Sequence, residues 1–226
     1  MELSGKHVLI TGASSGIGLA TAKALYAKGC TISNLDAKEM EEENEHCTTY
    51  TVDISQSDQV QKAISHISTP IDIVIHNAGV MRRGELLESS EEDFDLLYGV
   101  HVKGFWLLLK SSLPLLTENP TVVLMSSRHG MNLPTNPALY GLTKQASMDM
   151  TDVIAKTHPN FTIKLLCPGP VDTALTRVDV TEEELEEKMK IMSSAEDVAN
   201  LTVELLESDE KTRLVFDREN CKHSLT

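Results

Sequence analysis

The sequence predicts an α/β fold, a seven-stranded parallel sheet with helices on both faces. Two observations carry this. Short apolar runs recur at 7–10, 31–35, 48–52, 71–75, 121–125, 162–166 and 212–216. Segments with apolar residues at helical spacing lie between nearly every pair, and strands that alternate with helices build a parallel sheet covered on both sides. A third observation sets the organisation. No internal repeat, long linker or low-complexity block divides the 226 residues, enough for one sizeable core. One domain over 1–217 with a loose tail over 218–226 is the simplest reading.

The first strand runs into Thr11-Gly12-Ala13-Ser14-Ser15-Gly16-Ile17-Gly18, and Ile17, Ala20, Thr21, Ala24 and Leu25 then follow at helical spacing. A glycine-rich turn at a helix N-terminus presents backbone N–H groups where the helix dipole favours an anion. Gly12 and Gly16 allow a sharp turn and close approach of a ligand. Gly18 lets the helix pack close to the sheet. The pyrophosphate of a dinucleotide fits this arrangement. A tight turn that binds nothing fits the motif alone equally well. Context favours the ligand, because the second strand ends at Leu35-Asp36, eighteen residues after Gly18. A carboxylate near that spacing suits a ribose 2′-hydroxyl.

Asp53-Ile54 follows the third strand. Its carboxylate either accepts from an exocyclic amine such as that of adenine or caps the helix that starts near Ser57. The fourth strand ends in His76-Asn77-Ala78-Gly79. Small residues after a short amide admit a ring or sugar, or Asn77 ties neighbouring strands together. Ser90-Glu91-Glu92-Asp93 reads as the start of a helix that continues through Phe94, Leu97 and Tyr98 toward Leu116. Gly99 and Gly104 interrupt it at about 1 kcal/mol each relative to alanine, a cost that close packing or a kink offsets.

The fifth strand ends in Ser126-Ser127, at the carboxyl end where open α/β sheets hold ligands. Tyr140 follows Ser127 by thirteen residues and Lys144 follows Tyr140 by four, one helical turn along the same face. A cation beside a phenol lowers its pKa and makes a proton donor and acceptor. Such a pair is also common on solvated helix faces. The sixth strand closes in Pro168-Gly169-Pro170-Val171-Asp172-Thr173, a proline-braced turn. Residues 174–193 turn polar and acidic, a solvated helix from Thr181 that also serves as a substrate lid. Ser194 caps a last helix to about Leu206.

Composition excludes several classes. The formal net charge of −14 argues against a nucleic-acid surface or an anionic membrane. No apolar run has the length of a membrane span, and the start lacks an apolar signal segment, so a cytoplasmic location is expected. Cys30, Cys47, Cys167 and Cys221 have neither metal nor disulfide spacing, so no metal is expected and the thiols are expected reduced. Cys167 reads as a small buried hydrophobe.

Together these residues resemble the short-chain dehydrogenase/reductase family, over nearly the whole chain from Thr11 to Thr173. The resemblance implies a single doubly wound Rossmann domain and an NAD(P)-dependent oxidoreductase moving a hydride between nicotinamide and a secondary alcohol or ketone. It implies Tyr140 as general acid/base, Lys144 depressing the tyrosine pKa and holding the nicotinamide ribose, and Ser127 orienting the carbonyl. Cofactor contacts fall on Gly12, Ser14, Ser15, Gly16, Ile17 and Gly18, with Asp36 at the ribose. Asp53 and Ile54 hold the adenine, Asn77, Ala78 and Gly79 its ribose side, and Pro168, Gly169, Val171 and Thr173 the carboxamide. Asp36, with uncharged Ser15 and Ala37, points to NAD over NADP.

Two departures stand out. Family members often carry an asparagine that kinks the long helix and anchors a water in a proton relay. Here the stretch is Val100-His101-Val102-Lys103-Gly104, so His101 either serves the relay or is a satisfied core histidine. Phe216-Asp217-Arg218 replaces the family's glycine-containing segment after the last strand. That weakens the case for a homotetramer and leaves a homodimer through the Tyr140 helix and the 94–116 helix. Met81, Arg82, Arg83, Arg128, His129, Leu133 and 174–192 surround the expected pocket, and their basic residues point to a polar or anionic substrate unless they merely face solvent. The other functional class is a dinucleotide-binding sensor or scaffold without turnover.

Overall fold

The computed structural model describes residues 1–40, 46–210, 212–217 and 222–226. Arg218 and Cys221, singled out above, lie outside the described residues. Eight strands form one sheet: β1 His7–Thr11, β2 Thr31–Asp36, β3 Cys47–Thr51, β4 Ile71–His76, β5 Leu116–Met125, β6 Thr162–Cys167, β7 Arg213–Asp217 and β8 Lys222–Leu225. Their order is β3-β2-β1-β4-β5-β6-β7-β8. Pairings from β1 through β7 are parallel, and β8 runs antiparallel to β7.

Side chains alternate between two cores. Val8, Ile10, Ile73, Ile75, Val123 and Met125 face one side, with Ala22 and Leu25 of α1 (Gly16–Ala27) and Val203, Leu205 and Leu206 of α8 (Ala195–Glu207). Leu9, Val74, Val122 and Leu124 face the other, with α2 (Ser57–Ser65) and α4 (Gly104–Ser112). Met148 and Ile154 of α6 (Ala138–Thr157) pack against that second core. Both faces of a parallel sheet are buried this way, so its strands read as apolar runs rather than half-polar ones.

Three sequence expectations change. The sheet has eight strands rather than seven parallel ones, because part of the expected loose tail pairs as β8. Leu214 registers with Leu225, and the Thr226 carbonyl accepts from the N–H groups of Thr212 and Arg213. The Lys-His-Ser-Leu stretch has no apolar run, but it satisfies the backbone groups that an edge strand leaves open. The long helix is three pieces: α3 (Glu91–Tyr98), a π-helical turn Gly99–Lys103, and α4. A Cβ at Gly104 would meet Ile54 at 3.1 Å and one at Gly99 would meet Ser55 at 3.3 Å, so both glycines admit the loop after β3. β5 begins earlier than the expected 121, at Leu116.

The strand order reverses between β1 and β4, whose carboxyl ends, Thr11 and His76, pair directly. Ligands of open α/β sheets bind at such a switch point.

Candidate active site

Gly12 has φ +73°, and a Cβ there would meet Ala78 Cα at 2.8 Å. At Gly18 a Cβ would fall 2.1 Å from the Gly12 carbonyl oxygen. The turn between β1 and α1 is therefore pressed against the end of β4. Polar groups fasten it. The Thr11 hydroxyl oxygen accepts from the N–H groups of Asn77 (3.1 Å) and Ala78 (3.0 Å). Asn34 Oδ1 accepts from Ala13 N–H at 3.0 Å, and its amide donates to the Ser14 hydroxyl. Thr11 opens the glycine-rich motif without a role assigned from sequence, and Asn34 is a contributor that sequence reasoning missed, because a polar residue inside a strand carries no motif. The Ser15 side chain makes no capping bond and the first turn of α1 holds no acidic residue, so its exposed N–H groups suit an anion.

The expected cofactor residues divide by how much of each is already engaged. Asn77 donates its amide to the carbonyls of Thr11 (3.2 Å) and Gly12 (2.8 Å), the strand-tying alternative. Asp36 accepts from the N–H groups of Ser14 (2.9 Å) and Lys38 (3.0 Å), which holds its carboxylate at the edge of the glycine-rich turn. Asp53 accepts from Ser55 N–H and hydroxyl, ordering the loop before α2. The Ile54 side chain is buried against Gly104. Gly79 stays bare beneath Lys144 Nζ and His101 Nε2, 3.5 and 3.4 Å from where its Cβ would stand.

Ser127, Tyr140 and Lys144 meet at the carboxyl end of β5. Ser127 caps the short helix α5 (Arg128–Asn132), accepting from His129 N–H at 3.1 Å. Tyr140 is buried; burial pushes its hydroxyl up to about 12, and hydrogen bonding to Ser127 draws it down. Lys144 is also buried, which pulls it down to about 8. Its Nζ donates to the Met125 carbonyl (2.9 Å) and stands 5.7 Å from the centre of the Tyr140 ring. Desolvation is the largest influence on the phenol and the lowering comes from Ser127, while the Lys144 ammonium stands over the ring face and donates to Met125. The phenol is held protonated at neutral pH. Cys167, beside the site, is buried and pushed up to about 11, an inert thiol.

His101 lies in the π-helical turn and is buried. Val80 N–H donates to its Nε2 at 3.1 Å, and its Nδ1 lies 2.8 Å from the Thr143 hydroxyl. Thr143 gives its own proton to the Tyr140 carbonyl at 2.9 Å. That network assigns the ring proton to Nδ1. Burial and the nearby charges of Lys144 and His76 hold the ring neutral, far below its usual range. Its main-chain carbonyl accepts from the Ser147 hydroxyl at 2.9 Å. With both ring nitrogens and the carbonyl engaged, this residue has the contacts of a satisfied core histidine.

The turn after β6 closes the crevice. A Cβ at Gly16 would meet the Thr173 methyl at 3.2 Å, and Val171 is buried and bridged to Ser193. A Cβ at Gly169 would strike the Phe216 ring at 2.4 Å. Gly169 N–H donates to His223 Nε2 (3.3 Å), and His223 Nδ1 lies 3.1 Å from the Ser193 hydroxyl. His223, on β8, ties the Pro168–Gly169 turn to the end of the lid segment. Sequence reasoning placed it in a loose tail and missed it.

The segment 174–193, the expected lid, holds a 3-10 turn, Ala174–Arg177, and α7 (Glu182–Met189), capped by Thr181 with Glu184 in return. Arg83 Nε donates to the Val178 carbonyl at 3.0 Å, fastening the lid to the loop after β4. That loop is joined to the start of α6, since Ala138 N–H donates to the Gly84 carbonyl and Gly84 N–H to Asn136. Met81 packs beside Tyr140, Arg82 pairs with Asp93 at 2.9 Å, and Leu133 is exposed. Among the described residues no group of three His, Cys, Asp or Glu is arranged to hold a metal. No described helix is long and apolar enough to cross a membrane.

Comparison with known proteins places this geometry. The family model for short chain dehydrogenases matches residues 6–184. The oxidoreductase UcpA of Salmonella typhimurium is 33% identical over 77% of this chain and 72% of its own. A short-chain dehydrogenase/reductase of Burkholderia phymatum, solved in complex with NAD, superposes with TM-score 0.78 at 25% identity, covering 91% and 87% of the two chains. A short-chain dehydrogenase of Burkholderia cenocepacia, solved with NADP, has TM-score 0.81 at 24% identity over 92% and 93%, a likeness of fold.

Proposed function

The chain belongs to the short-chain dehydrogenase/reductase family, and on that premise we propose that it is an NAD-dependent oxidoreductase acting on a secondary alcohol or the matching ketone. The observation that carries the reading is the meeting of Ser127, Tyr140 and Lys144 at the carboxyl end of β5, beside a glycine turn whose helix N-terminus is open to a phosphate. When bound, the dinucleotide supplies or accepts the hydride. The residues of this chain position the substrate oxygen and manage its proton. Ser127 donates to that oxygen, and Tyr140, protonated at neutral pH, gives its proton as negative charge develops there. Lys144 orients the nicotinamide ribose from above the Tyr140 ring. His101 is a positioning residue, holding the loop at Val80 against α6. Asp36 favours the 2′-hydroxyl of NAD over the 2′-phosphate of NADP.

Tyr140→Phe tests the assignment. Loss of the proton donor should cut turnover about 10²–10⁴-fold while dinucleotide binding persists. Nicotinamide absorbance reads the first and calorimetry the second; full activity in the variant would overturn the role. Because the folded phenol deprotonates only near 12, alcohol oxidation should rise with pH through the neutral range while ketone reduction does not.

A homodimer is part of the same reading. Trp106, Leu113 and Val153 are 46%, 44% and 58% exposed on one apolar face formed by α4, the 3-10 turn after it and α6, a face suited to a second copy. Sedimentation measures that. The free Cys30, Cys47 and Cys167 suit a reducing compartment, the cytoplasm, which fractionation checks.

A further inference from the structure

Cations gather at one place in a chain whose formal net charge is −14. Arg83 stands on the loop after β4, Arg128 on α5 next to the neutral His129, and Lys188 on the lid helix α7. Among the described residues, Lys6, Lys28, Arg82, Arg177 and Lys190 each form an ion pair with a carboxylate, whereas neither Arg83 nor Lys188 does. Glu184, one turn before Lys188, is turned back to cap Thr181, accepting from its N–H at 3.2 Å.

These charges feel one another. Burial first, then Arg128, Lys188 and Arg83, hold His129 down at about 4. Burial and Arg83 lower Lys188 as well, against the opposing pull of Glu184. Like charges brought together from three separate elements repel, and an anion among them offsets the repulsion. His129 adds a second, independent feature. Its Nδ1 is shielded from solvent and has no hydrogen-bond partner among the described residues. Its ring lies edge-on to the Tyr140 ring, 6.1 Å between centres. A buried ring nitrogen without a partner costs free energy that a ligand's polar atom would recover.

We propose that the substrate alcohol or ketone carries an anionic group, a carboxylate or phosphate, held between Arg83 and Lys188 with His129 beside the reacting end. The proposal rests on the oxidoreductase reading and names its substrate class. Arg83 already ties the lid to the loop after β4 through Val178, so an anion shared with Lys188 draws α7 over the crevice. Arg82 takes no part, being neutralised by Asp93.

Paired substrates test this. Short hydroxy acids are assayed against their methyl esters, and phosphorylated polyols against the free polyols, with the nicotinamide absorbance as readout. The anion should be preferred at least tenfold in kcat/KM in one of the two series, which also separates carboxylate from phosphate. Arg83→Ala and Lys188→Ala should each reduce that preference about tenfold or more. Equal turnover of anion and neutral partner, or equal losses on both, overturns the proposal. Calorimetric titration of malonate and of inorganic phosphate into the protein with NAD present decides the site independently of turnover. Binding with Kd below about 1 mM, weakened by both variants, supports it, and no binding overturns it. If no alcohol or ketone is turned over at all, the oxidoreductase reading falls while this titration still decides the anion site.

Discussion

The two ends of the crevice are built by different physics. At the β1–β4 end the chain is closed on itself. Backbone touches backbone at Gly12 and Gly18, and Thr11, Asn34 and Asn77 use their polar atoms on neighbouring segments. At the other end Arg83, His129 and Lys188 rise from a loop and two short helices with polar groups still uncommitted. A site that takes one dinucleotide can be rigid down to a methyl group. A site that chooses among substrates needs side chains free to bind and a cover that moves. On the proposed reading, stability is concentrated at the first end and the choice among substrates at the second.

The largest effect that would break this contrast comes from Gly18. A Cβ there falls 2.1 Å from the Gly12 carbonyl oxygen and 2.4 Å from Asn77 Nδ2, so Gly18→Ala must push α1 off the sheet. The cost should reach about 3 kcal/mol or more, at the upper end of overpacking, a fall of roughly 6–12 °C in Tm for a domain of this size. Lys188→Ala, on the exposed lid, should change stability by no more than about 0.5 kcal/mol. Differential scanning calorimetry on both proteins measures the gap, and similar melting temperatures would erase the distinction.

A smaller effect probes specificity at the rigid end. Asp36→Ala with Ala37→Arg removes a carboxylate and adds a cation where a 2′-phosphate would stand. The ratio of kcat/KM for NADP over NAD should rise at least tenfold, about 1.4 kcal/mol of differential binding. Asp36 also accepts from Ser14 and Lys38 N–H groups, so some loss of affinity for both cofactors should accompany the shift. An unchanged ratio would mean that this edge of the crevice does not choose the cofactor.

The contrast also explains what the sequence could and could not disclose. Glycines compelled by backbone contact leave a motif, and so do Tyr140 and Lys144, fixed four apart by the pitch of one helix. The parallel sheet followed from alternating strands and helices, whereas the strand order that puts the switch point between β1 and β4 came only with the fold. Asn34 and Thr143 act through partners far away in sequence, and no local pattern marks them; Thr11 opens the glycine motif, but its partners Asn77 and Ala78 appear only in the fold. His101 was visible as a departure, but its two partners, Val80 and Thr143, come from separate elements, so only the fold could say that its ring was fully engaged. The phenol's surroundings were hidden for a similar reason, because spacing gives proximity and only the fold gives the burial that raises its pKa. The tail hid β8, whose four residues carry no apolar run.

His223 on β8 offers the mildest test, at the seam between the two ends. Its Nε2 accepts from Gly169 N–H and its Nδ1 meets the Ser193 hydroxyl, so the ring is neutral with its proton on Nδ1. Burial holds it below its usual range, while the nearby Asp197 carboxylate pulls it back up and the Phe216 ring packs edge-on. The sign follows from linkage. A base whose folded pKa is depressed binds fewer protons than the unfolded chain between the two values, so its contribution is present above about 6.5 and is lost as pH falls through and below that value. Protonation would turn Nε2 into a donor facing the Gly169 donor and release the Pro168–Gly169 turn. The KM for NAD should therefore rise in the wild type as pH falls below the usual histidine range. His223→Gln keeps an acceptor within reach of Gly169 N–H but has no proton to gain, so its KM should stay flat over the same fall in pH. Parallel profiles for the two proteins would show that β8 closes the sheet without touching the cofactor end, and the two regions would then be more independent than the Gly169–His223–Ser193 chain implies.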